Sequence, residues 1–503
     1  MSELQFAPKY DLIVIGGGPA GSTLASLVAM MGHKVLLLEK QRFPRHQIGE
    51  SLLPATVHGI CRVLGVQQEL EKAGFQRKRG GTFLWGRSST PWTFAFSKLP
   101  NSPTGFAYQV ERSKFDKILL ANAARLGAQV IEECSVSDIK FGSDRVIGIL
   151  CQDSGGRVHN ISTTFVADAS GYQSRFHRLV GNRAFSRFFQ NVALYGYFRN
   201  GKRLAEPNSG NILCAAFHDG WFWYIPLSSD MTSVGVVVSK KAVETIQDER
   251  EGAFRQFVDA CPLIREFLDG ASRIKDGPYG ELRIRKDYSY CNTTFYRNGL
   301  VLLGDAACFV DPIFSSGVHL ATYSALLAAR SVNSCLKGLL SQTACFGEFE
   351  YRYRKEFGKF YRFLRAFYDM HRDEHSYFWD ARRVLGGNGS GEDAFISLVA
   401  GLSEEDEPVF SGIRSAGTAE SLGEWFDTTH GRLRGPNETC AIPAVNGFDF
   451  DDFMPGLTSE MLQIQLQGFF GHSRPPETPL REGGLVPSAD GLLWMESSSL
   501  SRR

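Results

Sequence analysis

The run Gly16-Gly17-Gly18-Pro19-Ala20-Gly21 satisfies G-x-G-x-x-G at Gly16, Gly18 and Gly21, and Glu39 follows it. Glycines at these places let backbone amides approach a pyrophosphate, and a helix opening there adds unpaired N–H groups and partial positive charge. An acid about 20 residues beyond such a run can accept both hydroxyls of an adenosine ribose. The chemistry is the holding of a dinucleotide. Three other groups could react or bind. Lys78 stands in Gly74-Phe-Gln-Arg-Lys78-Arg-Gly-Gly81. Its plain reading is a cation at a helix C-terminus, favoured by the dipole; burial would instead depress its pKa toward a neutral amine. Trp221 and Trp223 lie two apart in Gly220-Trp221-Phe222-Trp223-Tyr224-Ile225-Pro226. Spacing alone makes them core aromatics on one face of a strand. His371 and His375 have i, i+4 spacing, but no third ligand accompanies them, so no metal is expected.

These groups need a frame. Residues 12–15 are a short β-branched run, residues 22–31 carry helix formers, and residues 34–38 form a second apolar run ending at Glu39. Strand, glycine turn, helix, strand and acid in that order make a Rossmann-type β-α-β unit. Strands are predicted at 82–85, 92–96, 106–110 and 128–131, the last rejoining the first sheet, with helices at 52–73 and 112–126. A β-rich stretch runs through 146–151, 161–168, 192–198, 212–218, 221–227 and 232–239. A buried strand at 300–303 leads into Gly304-Asp305, followed by helices at 317–336 and 345–370. Gly386 to Gly391 reads as a linker. It follows a helix rather than a strand, so it is not a second nucleotide site. The acidic loop Glu404-Glu-Asp-Glu407 comes next, and a tail from about Ser473, rich in Pro, Gly and Ser, reads as disordered.

With 503 residues the chain can bury a large core. Its net charge of +1 gives no footprint for nucleic acid or an anionic membrane. No apolar run reaches the roughly 20 residues needed to span a bilayer. The ten cysteines are scattered without metal spacing. They read as reduced thiols, and with no signal-peptide pattern at the start the expected location is cytoplasmic.

Three further stretches suit FAD better than NAD. Asp168-Ala-Ser-Gly171 ends a strand, Asp305 ends another and could bond a ribitol hydroxyl, and Ser315-Ser316-Gly317-Val318 opens a helix whose amides could face a flavin or a small anion. Singly, Asp168 and Asp305 read as turn or cap residues. In this order the pieces resemble the class A flavoprotein monooxygenases, the para-hydroxybenzoate hydroxylase-like fold. That fold is α/β, with a Rossmann-type FAD domain, a β-sheet substrate domain and a helical C-terminal region. The resemblance also places Arg112, in Gln109-Val-Glu-Arg112, near the flavin. Trp221, Trp223, Ile225 and Pro226 spell W-x-W-x-I-P, the signature of flavin-dependent halogenases. In that family the tryptophans wall the flavin from the organic substrate, and the family's essential lysine falls on Lys78.

Residues about 10–400 are similar to carrier-dependent phenol halogenases of nonribosomal peptide and polyketide assembly lines. Shared stretches include Arg45-His-Gln-Ile-Gly-Glu-Ser-Leu-Leu-Pro54, Phe189-Gln-Asn-Val-Ala-Leu-Tyr-Gly-Tyr197, Ile284-Arg-Lys-Asp-Tyr-Ser-Tyr-Cys291 and residues 304–325. The similarity implies that Gly17, Ala20, Glu50 and Val318 also line FAD, and that Ser316 and Gly317 hold chloride through backbone groups. Tryptophan halogenases carry a glutamate just before the Ser-Ser-Gly run; here that residue is Phe314. This departure argues for a phenol or pyrrole over tryptophan and leaves the general base unidentified, since His319 reads as a packed or capping residue.

The implied organisation has FAD-binding parts at 1–80, 111–185 and 291–340. Substrate-domain strands fall at 81–110, a β-sheet substrate domain at 186–290, a helical region at 341–385 and a partly disordered extension at 386–503. The expected activity is an FADH2- and O2-dependent oxidation of chloride to hypochlorous acid, which chlorinates a phenolic, tyrosyl, carrier-bound substrate. A separate flavin reductase would supply FADH2, and a peptidyl or acyl carrier protein would present the substrate. The basic residues Arg352, Lys355, Lys359, Arg362 and Arg365 of the 346–370 helix form a face that could meet an acidic carrier. The rival readings are an aromatic hydroxylase on the same fold and a non-catalytic flavin-binding partner of an assembly line.

Overall fold

The computed structural model describes residues 4–85, 90–98, 105–239, 246, 249–369, 396, 398–400, 479–481 and 483–496. The Gly386–Gly391 linker, the Glu404–Glu407 loop, His371 and His375 lie outside them.

The first strand, Tyr10–Ile15, occupies the middle of a mostly parallel sheet. Val35–Leu38 pairs on one side and Val158–Asp168 on the other, with Gln129–Ile131 and Leu300–Leu302 beyond them. Leu12, Ile13 and Val14 are fully buried, as expected of a parallel strand covered on both faces. Helix Pro19–Ala29 is buried at every residue because it carries only small and apolar or hydroxyl side chains. Gly21 lets it sit this close: a Cβ there would lie 1.9 Å from the Gly16 carbonyl oxygen.

A second, nine-stranded sheet holds Gly80–Leu84, Trp92–Ala95, Arg183–Arg199, Ile212–Phe217, Gly220–Pro226, Met231–Ser239 and Arg283–Asn292. Strand alternation divides the Gly220–Pro226 side chains. Trp221, Trp223 and Ile225 join the core shared with the first sheet, and Phe222 and Tyr224 join a separate core on the far face. Helices Ser316–Leu336 and Gln342–Asp369 pack against each other and contribute to that shared core.

One expectation is corrected, and it concerns the basic face of the 346–370 helix. Leu485–Pro487 and Trp494–Glu496 form a hairpin whose buried Trp494 ring lies between the Arg330 and Arg352 guanidinium groups, at 5.1 and 5.0 Å. That hairpin helps to close off the basic face assigned to the 346–370 helix. Arg352, Lys355 and Lys359 are buried, and Arg352 donates to Glu348 at 2.6 Å and to the Leu485 carbonyl at 2.9 Å. These cations hold the fold together rather than face solvent.

Candidate active site

The two sheets enclose a cavity of about 820 Å³. Gly16, Gly18, Ala20 and Glu39 line one end, and Trp221, Trp223, Gly317 and Val318 line the other. Glu50, Arg112 and Asp305 stand on the wall between them. Gly17, Gly21, Ser316 and Lys78 lie behind this surface.

At the first end the backbone does the shaping. Gly16 has φ +103°, and a Cβ on it would lie 2.6 Å from the Ala169 carbonyl oxygen. Only glycine fits that left-handed turn. Glu39 Oε2 accepts the Gly17 N–H at 2.7 Å and Oε1 accepts the Gln41 N–H at 2.8 Å. Those bonds aim the carboxylate at the cavity and leave it further lone pairs. Asp168 does not reach the cavity; buried, it accepts from Ser170 and Ser174 and organises the turn whose Ala169, Ser170 and Gly171 do. This is the turn-residue role.

Arg112 is buried and committed. It grips Asp116 through two nitrogens at 2.7 and 2.9 Å and donates to the Ile48 carbonyl at 2.7 Å. Arg45 also reaches Asp116, at 3.0 Å, so this cluster fixes the 45–50 loop that carries Glu50. Glu50 is buried, and burial pushes its carboxyl up to about 7 against the hydrogen bonds of Ser233 and Tyr197. The Tyr197 hydroxyl, 2.8 Å from Glu50, lies 2.7 Å from His46, whose pKa burial and nearby arginines hold down at about 4. Asp305 pairs with Arg285 at 3.2 Å.

The second end is aromatic. Trp221 and Trp223 lie 6.2 Å apart, and Tyr195 stands 5.8 Å from Trp223. Gly235, on the neighbouring strand, makes room for the Trp223 ring: a Cβ there would lie 2.2 Å from it. A glycine amid valines in a strand is the signal for such a close approach. Beside these rings Ser315 takes φ +61°, a conformation rare outside glycine, and begins helix Ser316–Leu336. The turn directs the first helical amides together, an arrangement suited to an anion. Among the described residues the buried Ser316 hydroxyl has no hydrogen-bond partner, and none stands within 4 Å above Gly317.

Lys78 ends strand Gln76–Lys78, so the helix-end reading is replaced. It is buried, its Nζ donating to the Leu52 carbonyl at 3.1 Å and standing 3.5 Å from Ser315 Oγ and 5.6 Å from the Phe96 ring centre. Among the described residues no carboxylate pairs with it. Burial pulls the amine down to about 7, against 10.5 for an ordinary lysine. Phe314 lies in an aromatic cluster with Phe363 and Phe367, at 5.1 and 4.8 Å. His319 is packed, 2.9 Å from Glu356. Among the described residues no cluster of His, Cys, Asp and Glu suits a metal, and no helix is long and apolar enough to cross a membrane.

The tryptophan halogenase family profile matches residues 11–102 and 98–398. The chain belongs to the flavin-dependent halogenases. It is similar to a tryptophan 2-halogenase of Chondromyces crocatus, 32% identical over 440 residues that cover 84% of this chain and 81% of that protein. The 1H-pyrrole-2-carbonyl-[peptidyl-carrier protein] chlorinase of Pseudomonas fluorescens is 32% identical over 383 residues, 72% of this chain and 84% of that one. Among solved structures, the myxobacterial chondrochloren halogenase is 51% identical with a TM-score of 0.75, covering 97% of this chain and all (100%) of that one. The halogenase is therefore an FADH2-dependent oxidoreductase of the para-hydroxybenzoate hydroxylase-like fold, using chloride and O2 and needing a flavin reductase. The cavity suits FAD: a glycine cradle and anchored acid at one end, arginines along the wall and helix amides at the other.

Proposed function

We propose that this halogenase chlorinates a phenol, a tyrosyl group carried by a carrier protein, in nonribosomal peptide or polyketide biosynthesis. Phe314 carries the reading. Buried against Phe363 and Phe367, it leaves that point of the site without a carboxylate. An indole needs one to help it lose a proton; a phenol directs attack through its own oxygen. The likeness to a peptidyl-carrier chlorinase supports a tethered substrate.

In this reading Gly16, Gly17, Gly18, Ala20 and Gly21 with Glu39 hold the ADP half of FAD, and Glu50, Arg112, Asp305 and Val318 hold the flavin half. Bound FADH2 with O2 supplies the two-electron oxidation of chloride to hypochlorous acid. Ser316 and Gly317 amides hold the halide. Trp221 and Trp223 keep the organic substrate and bulk water from the cofactor. Lys78, whose amine burial pulls down to about 7, holds hypochlorous acid through that amine and presents it to the ring. The chain has one nucleotide fingerprint and takes its FADH2 from a separate reductase.

The test is turnover with reductase, chloride and four substrates: free tyrosine, carrier-loaded tyrosine, free tryptophan and carrier-loaded pyrrole-2-carboxylate, read by mass spectrometry. Exchange of hydrogen for chlorine on carrier-loaded tyrosine, at least tenfold faster than on the others, is expected. Efficient chlorination of free tryptophan overturns the substrate class, and equal rates on free and loaded tyrosine remove the carrier.

A further inference from the structure

A phenol already sits next to the reaction end of the cavity, and it belongs to the chain. Tyr368, in the last turn of helix Gln342–Asp369, donates its hydroxyl to Asp311 Oδ2 at 2.8 Å and accepts from the indole N–H of Trp221. Its ring meets Trp85 and Phe189 edge-on, with centroids 5.5 and 5.2 Å away. Both hydrogen-bonding capacities of the hydroxyl are thus met, and two aromatic walls hold the ring.

Asp311 is fully buried. Its Oδ1 accepts the Ile313 N–H at 3.1 Å and so holds the turn that follows, while its Oδ2 faces the phenol, with Asn191 Nδ2 at the limit of contact, 3.5 Å. The turn ends at Ser315, whose hydroxyl stands 3.5 Å from the Lys78 amine. Four residues of such a turn rise roughly 8 Å. One short segment therefore carries a buried carboxylate bonded to a phenol at one end and the contact to Lys78 at the other.

Resting on the reading of the chain as a phenol chlorinase, we propose that the slot filled by Tyr368 is the phenol subsite, and that Asp311 is the base for the substrate hydroxyl. Tyr368 swings out and the substrate phenol takes its place. Asp311 Oδ2 draws the phenolic proton, which raises electron density at the ortho carbons. Hypochlorous acid transfers chlorine to one of them: the C–Cl bond forms, the O–Cl bond breaks, and the hydroxide released takes the proton lost from that carbon as water. The C–H electron pair restores the ring, and Asp311 returns its proton to the phenolate. The sum is phenol and hypochlorous acid giving chlorophenol and water.

The probe is p-cresol, with toluene as the control lacking the hydroxyl, and binding is followed by tryptophan fluorescence. Tyr368→Ala should bind p-cresol at least tenfold more tightly than the wild type. Adding Asp311→Asn should take that gain back, and toluene should bind weakly throughout. Equal binding of p-cresol and toluene by Tyr368→Ala, or no loss with Asp311→Asn, overturns the subsite. A second measurement needs no variant. Wild-type enzyme turned over with reductase and chloride but no substrate should place chlorine on Tyr368; chlorine on other tyrosines with Tyr368 unmodified overturns the proposal. If p-cresol binds as expected while carrier-loaded tyrosine is never chlorinated, the phenol-chlorinase reading fails and the subsite stands. If loaded tyrosine is chlorinated and p-cresol binding ignores both substitutions, the subsite alone fails.

Discussion

The fingerprint end of the cavity is made of backbone, and the tryptophan end is made of side chains. At the first, Gly16, Gly21 and the Glu39 carboxylate work through carbonyls, amides and one anchored acid, all within one β-α-β unit. At the second, Lys78 depends on the Leu52 carbonyl, the Phe96 ring and Ser315, which come from three separate stretches of chain. Polar groups fix one end by direct bonds. The other is set by exclusion: burial, with no carboxylate paired to it among the described residues, pulls the Lys78 amine down to about 7. A substitution should therefore act differently at each. At the backbone end it should remove the cofactor; at the aromatic end it should keep the cofactor and misdirect the oxidant.

The largest effect is expected at Gly21. Gly21→Ala puts a Cβ 1.9 Å from the Gly16 carbonyl, which must push helix and strand apart. FAD affinity should fall by roughly a hundredfold or more, measured by flavin fluorescence titration, as the backbone approach to the pyrophosphate is lost. Unchanged affinity would break the comparison at its backbone end.

Gly235→Ala should act at the other end. Its Cβ would lie 2.2 Å from the Trp223 ring, so that ring must move. FAD should still bind, while chlorinated product per oxygen consumed falls about tenfold as the wall of the dry site opens. An unchanged ratio would mean that the aromatic wall does not protect the oxidant.

How much of this was legible differs between the ends for the same reason. The fingerprint is local, so its glycines and Glu39 could be read from spacing. Lys78 could be named only by resemblance, because nothing in its own neighbourhood tells that Leu52 and Ser315 close over it. Spacing gave Trp221 and Trp223 their shared face but not the Gly235 gap that seats one of them. The 346–370 helix misled for a physical reason: amphipathic spacing marks a charged face, and only the distant hairpin carrying Trp494 reveals that Arg352 on this face is covered. Asp311 and Tyr368, 57 residues apart in sequence, carried no signal of contact.

A smaller effect sharpens the contrast. Burial depresses the Lys78 pKa to about 7 from 10.5, so the folded state disfavours the protonated amine. The cost is absent above 10.5, grows as pH falls, and is complete below about 7. Lys78→Met should raise the melting temperature by about 2 °C or more at pH 7, with the gain shrinking toward pH 10. A gain independent of pH would show that the lysine is not buried as a cation at a cost.

The central claim, that Lys78 acts after the flavin has been oxidised, is tested most directly with Lys78→Ala. Oxygen consumption and chlorinated product are recorded together, with reductase, chloride and carrier-loaded tyrosine present. The account predicts FAD binding and oxygen consumption within about twofold of wild type, and product lower by roughly a thousandfold or more. Chlorination near the wild-type rate would contradict it.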